Sequence, residues 1–200
     1  MIVDRALLAS NLERAKQYSD NLAHGRNAGL QKYLEDRGIT RDLQDEYLLG
    51  VCDDVRPGWL TIPYMRPSGV LWFNYRNPDP NGKPKYKSHG HRHLYNTEAL
   101  DIADQTGVIH ICEGEFDAII ATWLGFPAVA IPGAMNFINN KHWHELFRGY
   151  PTVRVLADPD EAGEAMASAV LDAIPAARII RLPADVTDTY LAHGGLGKWL

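Results

Sequence analysis

The chain has 200 residues, 46% of them hydrophobic and 22% charged, which excludes wholesale disorder and allows one medium domain or two small ones. No run approaches the roughly 20 apolar residues of a membrane helix, and the opening MIVDRALLASNLERAK sets charges inside its apolar run, so a cytoplasmic protein with no membrane partner is expected. The net charge of -5 conceals an asymmetry: residues 56–95 carry seven Lys/Arg against the single acid Asp79, a local +6 that leaves -11 for the remainder.

Up to about Gly50 the pattern is helical. Leu8, Leu12, Ala15 and Leu22 recur at helical spacing before a stop at Gly25. Leu30, Tyr33 and Leu34 line a second short helix ending at Gly38, and Thr40 caps a third that carries Leu43, Tyr47 and Leu48. These elements are packing units without evident chemistry.

From Trp59 the texture changes to strands. WLTIPY and GVLWFNYR are rich in aromatic and branched residues and bounded by Pro57-Gly58 and Ser68-Gly69. In the second run strict alternation groups Val70, Trp72, Asn74 and Arg76 on one face, with Leu71, Phe73 and Tyr75 on the other. NPDPNGKP is a turn cluster and KPKYKS resumes the extended pattern. Seven aromatics (Trp59, Tyr64, Trp72, Phe73, Tyr75, Tyr86, Tyr95) alternate with the seven cations. That mixture suits single-stranded nucleic acid, whose phosphates need cations and whose bases need stacking faces; it equally suits a small aromatic core with a charged rim. His89, His91 and His93 read as a basic, phosphate-facing edge rather than a zinc site.

From about Thr106 the rhythm is strand, helix, strand, helix: VIHICEG, FDAIIATWLG, AVAIPG, a polar helix, VRVLAD, AGEAMASAVLDAI, ARIIRLP. This implies a parallel sheet with flanking helices. The division expected is a helical and β-rich basic subdomain over residues 1–104 and an α/β domain over 105–200. In such sheets the site lies beyond the carboxyl ends of the strands, and there Glu113, Asp158 with Asp160, and Asp185 fall. Taken singly, each acid has a plain structural role: Asp160 as a helix cap, Asp117 as a solvated first-turn acid, Asp185 with Asp188 as a turn. Their coincidence at three strand ends points to an oxygen-only site for Mg²⁺ or Mn²⁺. Phosphate-binding GxxxxGK[ST] and nucleophile GxSxG motifs are missing, and Cys112 reads as a packed thiol. Two cysteines, Cys52 and Cys112, are too few for a zinc ribbon.

CEGEFDAI and LADPDEAGEAMA, in that order, resemble the Toprim signature: a glutamate after the first strand and a DxD after a later one. RLPADVTD resembles the third motif of DnaG-type primases. YLEDRGITRDLQDEYLLG, VLWFNYR and KPKYKS resemble segments ahead of the primase Toprim core. The resemblance implies a Toprim fold, Rossmann-like, and metal-dependent nucleotidyl transfer making short RNA primers on single-stranded DNA from ribonucleotides. It implies Glu113, Asp158 and Asp160 as catalytic metal ligands, with Asp185 sharing a second metal and Gly114, Asp117 and Gly163 in support. Arg76, Lys83, Lys85, Tyr86, Lys87 and Arg92 would grip template or nucleotide. It also implies a phage primase core alone, with a zinc-ribbon protein and a replicative helicase as partners in trans. The alternatives on the same acids are a Toprim nuclease and an inactive module that only binds nucleic acid.

Overall fold

The computed structural model describes residues 4–25, 27–79, 81–88 and 93–200. They form two compact units, Met1–His91 and Arg92–Leu200.

In the first unit, α1 (Arg5–His24) starts at Asp4, whose carboxylate accepts the Ala6 N–H at 2.9 Å. Helices α2 (Ala28–Asp36) and α3 (Arg41–Glu46) follow, the latter capped by Thr40 as its sequence indicates. Strands β1 (Gly50–Val51), β2 (Leu60–Arg66), β3 (Gly69–Arg76) and β4 (Tyr86–Ser88) then make an antiparallel sheet in chain order. Ala15 and Tyr18 of α1 pack on Cys52, Val70, Phe73 and Tyr75. The Tyr18 and Phe73 rings meet edge to face at 5.5 Å.

Val70 belongs to that buried face, against the strict alternation read from the sequence. The register shows why: Tyr64 pairs with Trp72 but Met65 pairs with Val70, so Leu71 is an extra residue on β3. A bulge of one residue exchanges the two faces beyond it. Of the seven aromatics, Tyr64, Phe73, Tyr75 and Tyr95 are buried, and Trp59, Trp72 and Tyr86 are half-buried. The aromatic-core reading therefore accounts for most of this set.

The second unit comprises α4 (Ala99–Thr106), β5 (Val108–Cys112), α5 (Glu115–Trp123), β6 (Ala128–Ala130), α6 (Ala134–Asn139), α7 (Lys141–Arg148), β7 (Thr152–Ala157), α8 (Glu161–Ala173), β8 (Arg178–Arg181) and α9 (Val186–His193). Its four strands are all parallel, in the order β6-β5-β7-β8. Alternate strand residues (Ile109, Ile111, Val129, Val153, Val155) pack against Met166, Ala167 and Val170 of α8, and against Phe137, Trp143 and Phe147 of α6 and α7. Ala103 is fully buried in the same core. That is why α4 falls in this unit and the boundary lies at 91/92, earlier than the 104/105 read from the onset of the strand–helix rhythm. Among the described residues no helix is long and apolar enough to cross a membrane.

Candidate active site

The chain leaves β5 to add β6 on one side, and adds β7 on the other. The carboxyl ends of β5 and β7 therefore flank the point where strand order reverses, which is where open parallel sheets present a crevice. Glu113 follows the last residue of β5, and Asp158 the last residue of β7. Pro159 carries the chain from Asp158 to Asp160, which caps α8 and accepts the Gly163 N–H at 2.8 Å. Asp185 lies farther from its strand than the sequence suggested. Leu182, Pro183 and Ala184 separate it from β8, and it caps α9 by accepting the Asp188 N–H at 2.7 Å.

Two glycines make room for this arrangement. A Cβ on Gly163 would run into the backbone carbonyl oxygen of Asp158, so the first turn of α8 packs directly on the chain bearing that acid. A Cβ on Gly114 would strike Asp117 Oδ2, so the Asp117 carboxylate lies over the bare Gly114 backbone.

Asp117 is not the solvated acid of the plainer reading. It is 7% exposed, and its Oδ1 accepts from both the backbone N–H (3.0 Å) and the hydroxyl (2.7 Å) of Thr187. Thr187, itself fully buried, thus ties α5 to the first turn of α9, two residues after Asp185. Thr187 lies inside RLPADVTD, but there Asp185 alone drew a role.

The acids act on one another electrostatically. Burial, then the charges of Asp160 and Asp117, raise the Glu113 carboxyl above its ordinary range. Burial and the neighbouring Glu113, Asp185, Asp160 and Asp188 push Asp158 up to about 7. Burial and Asp185 push Asp117 up to about 7, although its bonds from Thr187 pull the other way. The buried Cys112 thiol is pushed well up by desolvation and by Asp117, Asp158 and Glu113, so it is neither a nucleophile nor a ready ligand.

Among the described residues no three His, Cys, Asp or Glu side chains form a ready-made cation cage. Asp117, Asp160 and Asp185 each spend an oxygen on an N–H donor. Glu113 Oε1, however, is buried without a hydrogen-bond partner. An orphaned carboxylate oxygen beside mutually destabilised acids is a donor set of the kind that hard, oxygen-seeking divalent cations take.

The basic residues lie in the first unit. Arg76, at the end of β3, is 9% exposed rather than a surface cation. Its guanidinium lies 4.7 Å from the Tyr33 ring centroid and 5.0 Å from that of Tyr86, and it donates to the Tyr86 hydroxyl. Arg76 and Tyr86 are direct cross-strand partners, as are Tyr75 and Lys87. Lys83, Lys85 and Lys87 are exposed, with Lys85 Nζ 5.8 Å from the Tyr86 ring centroid. Arg92, His89 and His91 lie outside the described residues. Tyr33, singled out from sequence only as a packing residue, is the second ring against which Arg76 lies.

No family model matches the chain. It is 44% identical over 133 residues to the Gene 57 protein of Mycobacterium phage D29, an alignment covering 63% of this chain and 84% of that one. The chain belongs to the family of that phage protein. Its fold is that of the DnaG primase catalytic core. The RNA polymerase domain of Mycobacterium tuberculosis DnaG, solved with a DNA duplex bearing a 6-nucleotide overhang, superposes with a TM-score of 0.78 at 19% identity, covering 96% of this chain and 77% of that one. The E. coli primase catalytic core gives 0.74 at 21% identity, again over 96% and 77%.

Proposed function

We propose that the protein is a primase core that joins ribonucleotides into short primers on single-stranded DNA. The observation that carries this reading is the acidic constellation. Glu113 and Asp158 sit at the strand-order reversal, with raised carboxyl affinities and an orphaned Glu113 oxygen, on a DnaG-core fold. The M. tuberculosis neighbour's overhanging DNA supports a nucleic-acid template here.

Glu113, Asp158 and Asp160 would hold Mg²⁺ or Mn²⁺, with Asp185 in reach of a second ion. Such an ion, when bound, lowers the pKa of the attacking 3′-hydroxyl and neutralises charge on the phosphate oxygens. The hydroxyl oxygen forms a bond to the α-phosphorus, the bond to pyrophosphate breaks, and the hydroxyl proton is released. Glu113 either serves as cation ligand or takes that proton; its raised carboxyl affinity suits both roles. Asp117 and Thr187 orient the first turns of α5 and α9. In the other unit Lys83, Lys85 and Lys87 attract phosphates, while Arg76 presents a cation that Tyr33 and Tyr86 already orient. A zinc-ribbon protein and a helicase acting in trans complete the proposal.

The test is incubation with single-stranded DNA and labelled ribonucleotides in Mg²⁺ or Mn²⁺. New short oligonucleotides, lost in Asp158→Asn, are expected. Shortened input strands would replace the primase reading with a nuclease, and neither product would leave only binding.

A further inference from the structure

Between α2 and the end of β3 lies a cavity of about 350 Å³, with Gly29, Leu30, Tyr33, Arg76 and Pro78 among its walls. That volume is at the lower end of the range for small-molecule sites. Arg76 lines it although only 9% of the residue is exposed. Of the five N–H donors of a guanidinium, one goes to the Tyr86 hydroxyl, and among the described residues no carboxylate pairs with the side chain. The Tyr33 and Tyr86 rings stabilise the cation without neutralising it. The nearest charges on the rim, Lys32 and Asp36, satisfy each other at 2.7 Å and are largely exposed. Asn77, also in the lining, spends its amide on the Pro84 carbonyl and the Asp79 N–H, so Leu30, Tyr33 and Pro78 supply apolar surface beside one buried, un-neutralised cation.

That combination matches a flat apolar group carrying an anion. We propose that the cavity takes a single nucleotide, with its base against Leu30, Tyr33 and Pro78 and its phosphate on Arg76. The proposal rests on the reading of Arg76 as a phosphate contact and adds a base-binding function to it. The same chemistry is available from one nucleotide of a bound strand or from a free ribonucleotide.

Gly29 provides the test. Gly29 lines the cavity, and a Cβ there would meet nothing within 4 Å, so a bulky substitution meets no clash at its first atom. Binding of the full chain is measured to ATP, to an oligothymidylate of about 15 nucleotides, and to an abasic strand of equal length. Wild type is expected to prefer the thymidylate over the abasic strand by about tenfold, the size of one stacking contact. Gly29→Trp should erase that preference with an unchanged Tm, whereas Gly29→Ala should keep it. A loss of about tenfold in ATP affinity with the strand preference intact would assign the cavity to the free nucleotide instead. If Gly29→Trp lowers the Tm, Gly29→Leu is read by the same criteria. Wild-type ATP affinity and wild-type strand preference in the folded bulky variant would overturn the proposal. Primer synthesis in the same preparations keeps the two readings apart: synthesis without base dependence overturns only the cavity, and base dependence without synthesis overturns only the primase.

Discussion

Thr187 holds Asp117 twice, through its backbone N–H at 3.0 Å and its hydroxyl at 2.7 Å, across 70 residues of chain. Both residues are buried, so water cannot replace either bond. The pair fixes the first turn of α9 against α5, and with it the placement of Asp185. Thr187→Val keeps the shape and the N–H but removes the hydroxyl. We expect a loss of about 1–3 kcal/mol in stability, measured by denaturant titration, together with a weaker Mn²⁺-induced rise in Tm. Thr187→Ser should restore most of both. Wild-type stability in the valine variant would remove the hydroxyl from this account.

The pH dependence follows from two carboxylates and a buried imidazole, Asp117, Asp158 and His110, with opposing signs. Asp117 and Asp158, pushed up to about 7, hold protons in the folded protein that the unfolded chain has released above about 4. Stability from them is full at low pH and is lost as pH rises through 7. His110, 1% exposed, is pushed down to about 4, chiefly by burial. It makes stability rise with pH between about 4 and its unfolded value near 6.5. The carboxylates therefore dominate above about pH 6.5, where the cation-free protein should lose Tm through about pH 7 and level off towards about pH 8. Excess Mg²⁺ or Mn²⁺ should flatten that decline, because an ion that binds only the folded state competes with the protons. A metal-free Tm that rises from pH 6.5 to 8 would contradict the placement of these charges.

The glycine beside the DxD segment makes a sign prediction. In an exposed helix, Gly→Ala stabilises by up to about 1 kcal/mol. At Gly163 the new Cβ meets the Asp158 carbonyl, so we expect destabilisation of roughly 1–3 kcal/mol and a diminished cation response. Gly114→Ala should cost less, since the group it strikes is the end of the Asp117 side chain rather than backbone. Equal or raised stability in Gly163→Ala, by thermal or denaturant melts, would show that α8 does not need this close approach.

The parts legible in the sequence were those set by periodicity and by strand polarity. Four buried strand runs alternating with helices specify a parallel sheet, and its strand ends locate Glu113, Asp158 and Asp160 before any coordinates. What stayed hidden depended on tertiary contact. Asp117 occupies a first-turn position that usually faces water, and only the packing of α9 buries it. Its partner Thr187 lies in RLPADVTD, but nothing in that run shows which distant residue it contacts. The bulge at Leu71 lies within an apparently regular strand, and nothing in GVLWFNYR announces the shift. Arg76 stands out in the sequence only as one of seven cations; its burial depends on Tyr33, which is 43 residues earlier in the chain.

The burial of Arg76 against two tyrosine rings separates the cations into two kinds. Lys83, Lys85 and Lys87 are exposed, and a strand would contact them as screened point charges. Replacing Lys87 with alanine should leave Tm at the wild-type value and lower the slope of log affinity against log salt by roughly 0.7 if it meets one phosphate. Arg76→Ala should do more. It empties the space between Tyr33 and Tyr86 and removes the donor to the Tyr86 hydroxyl, so Tm should fall along with strand affinity. Arg76→Lys should keep the charge but not the planar stacking, recovering part of the salt dependence and little of the stability. Binding isotherms across a salt series, run beside thermal melts, distinguish the two kinds. If Arg76→Ala and Lys87→Ala shift both measurements by the same amounts, the buried cation is no more than another point of attraction for phosphate.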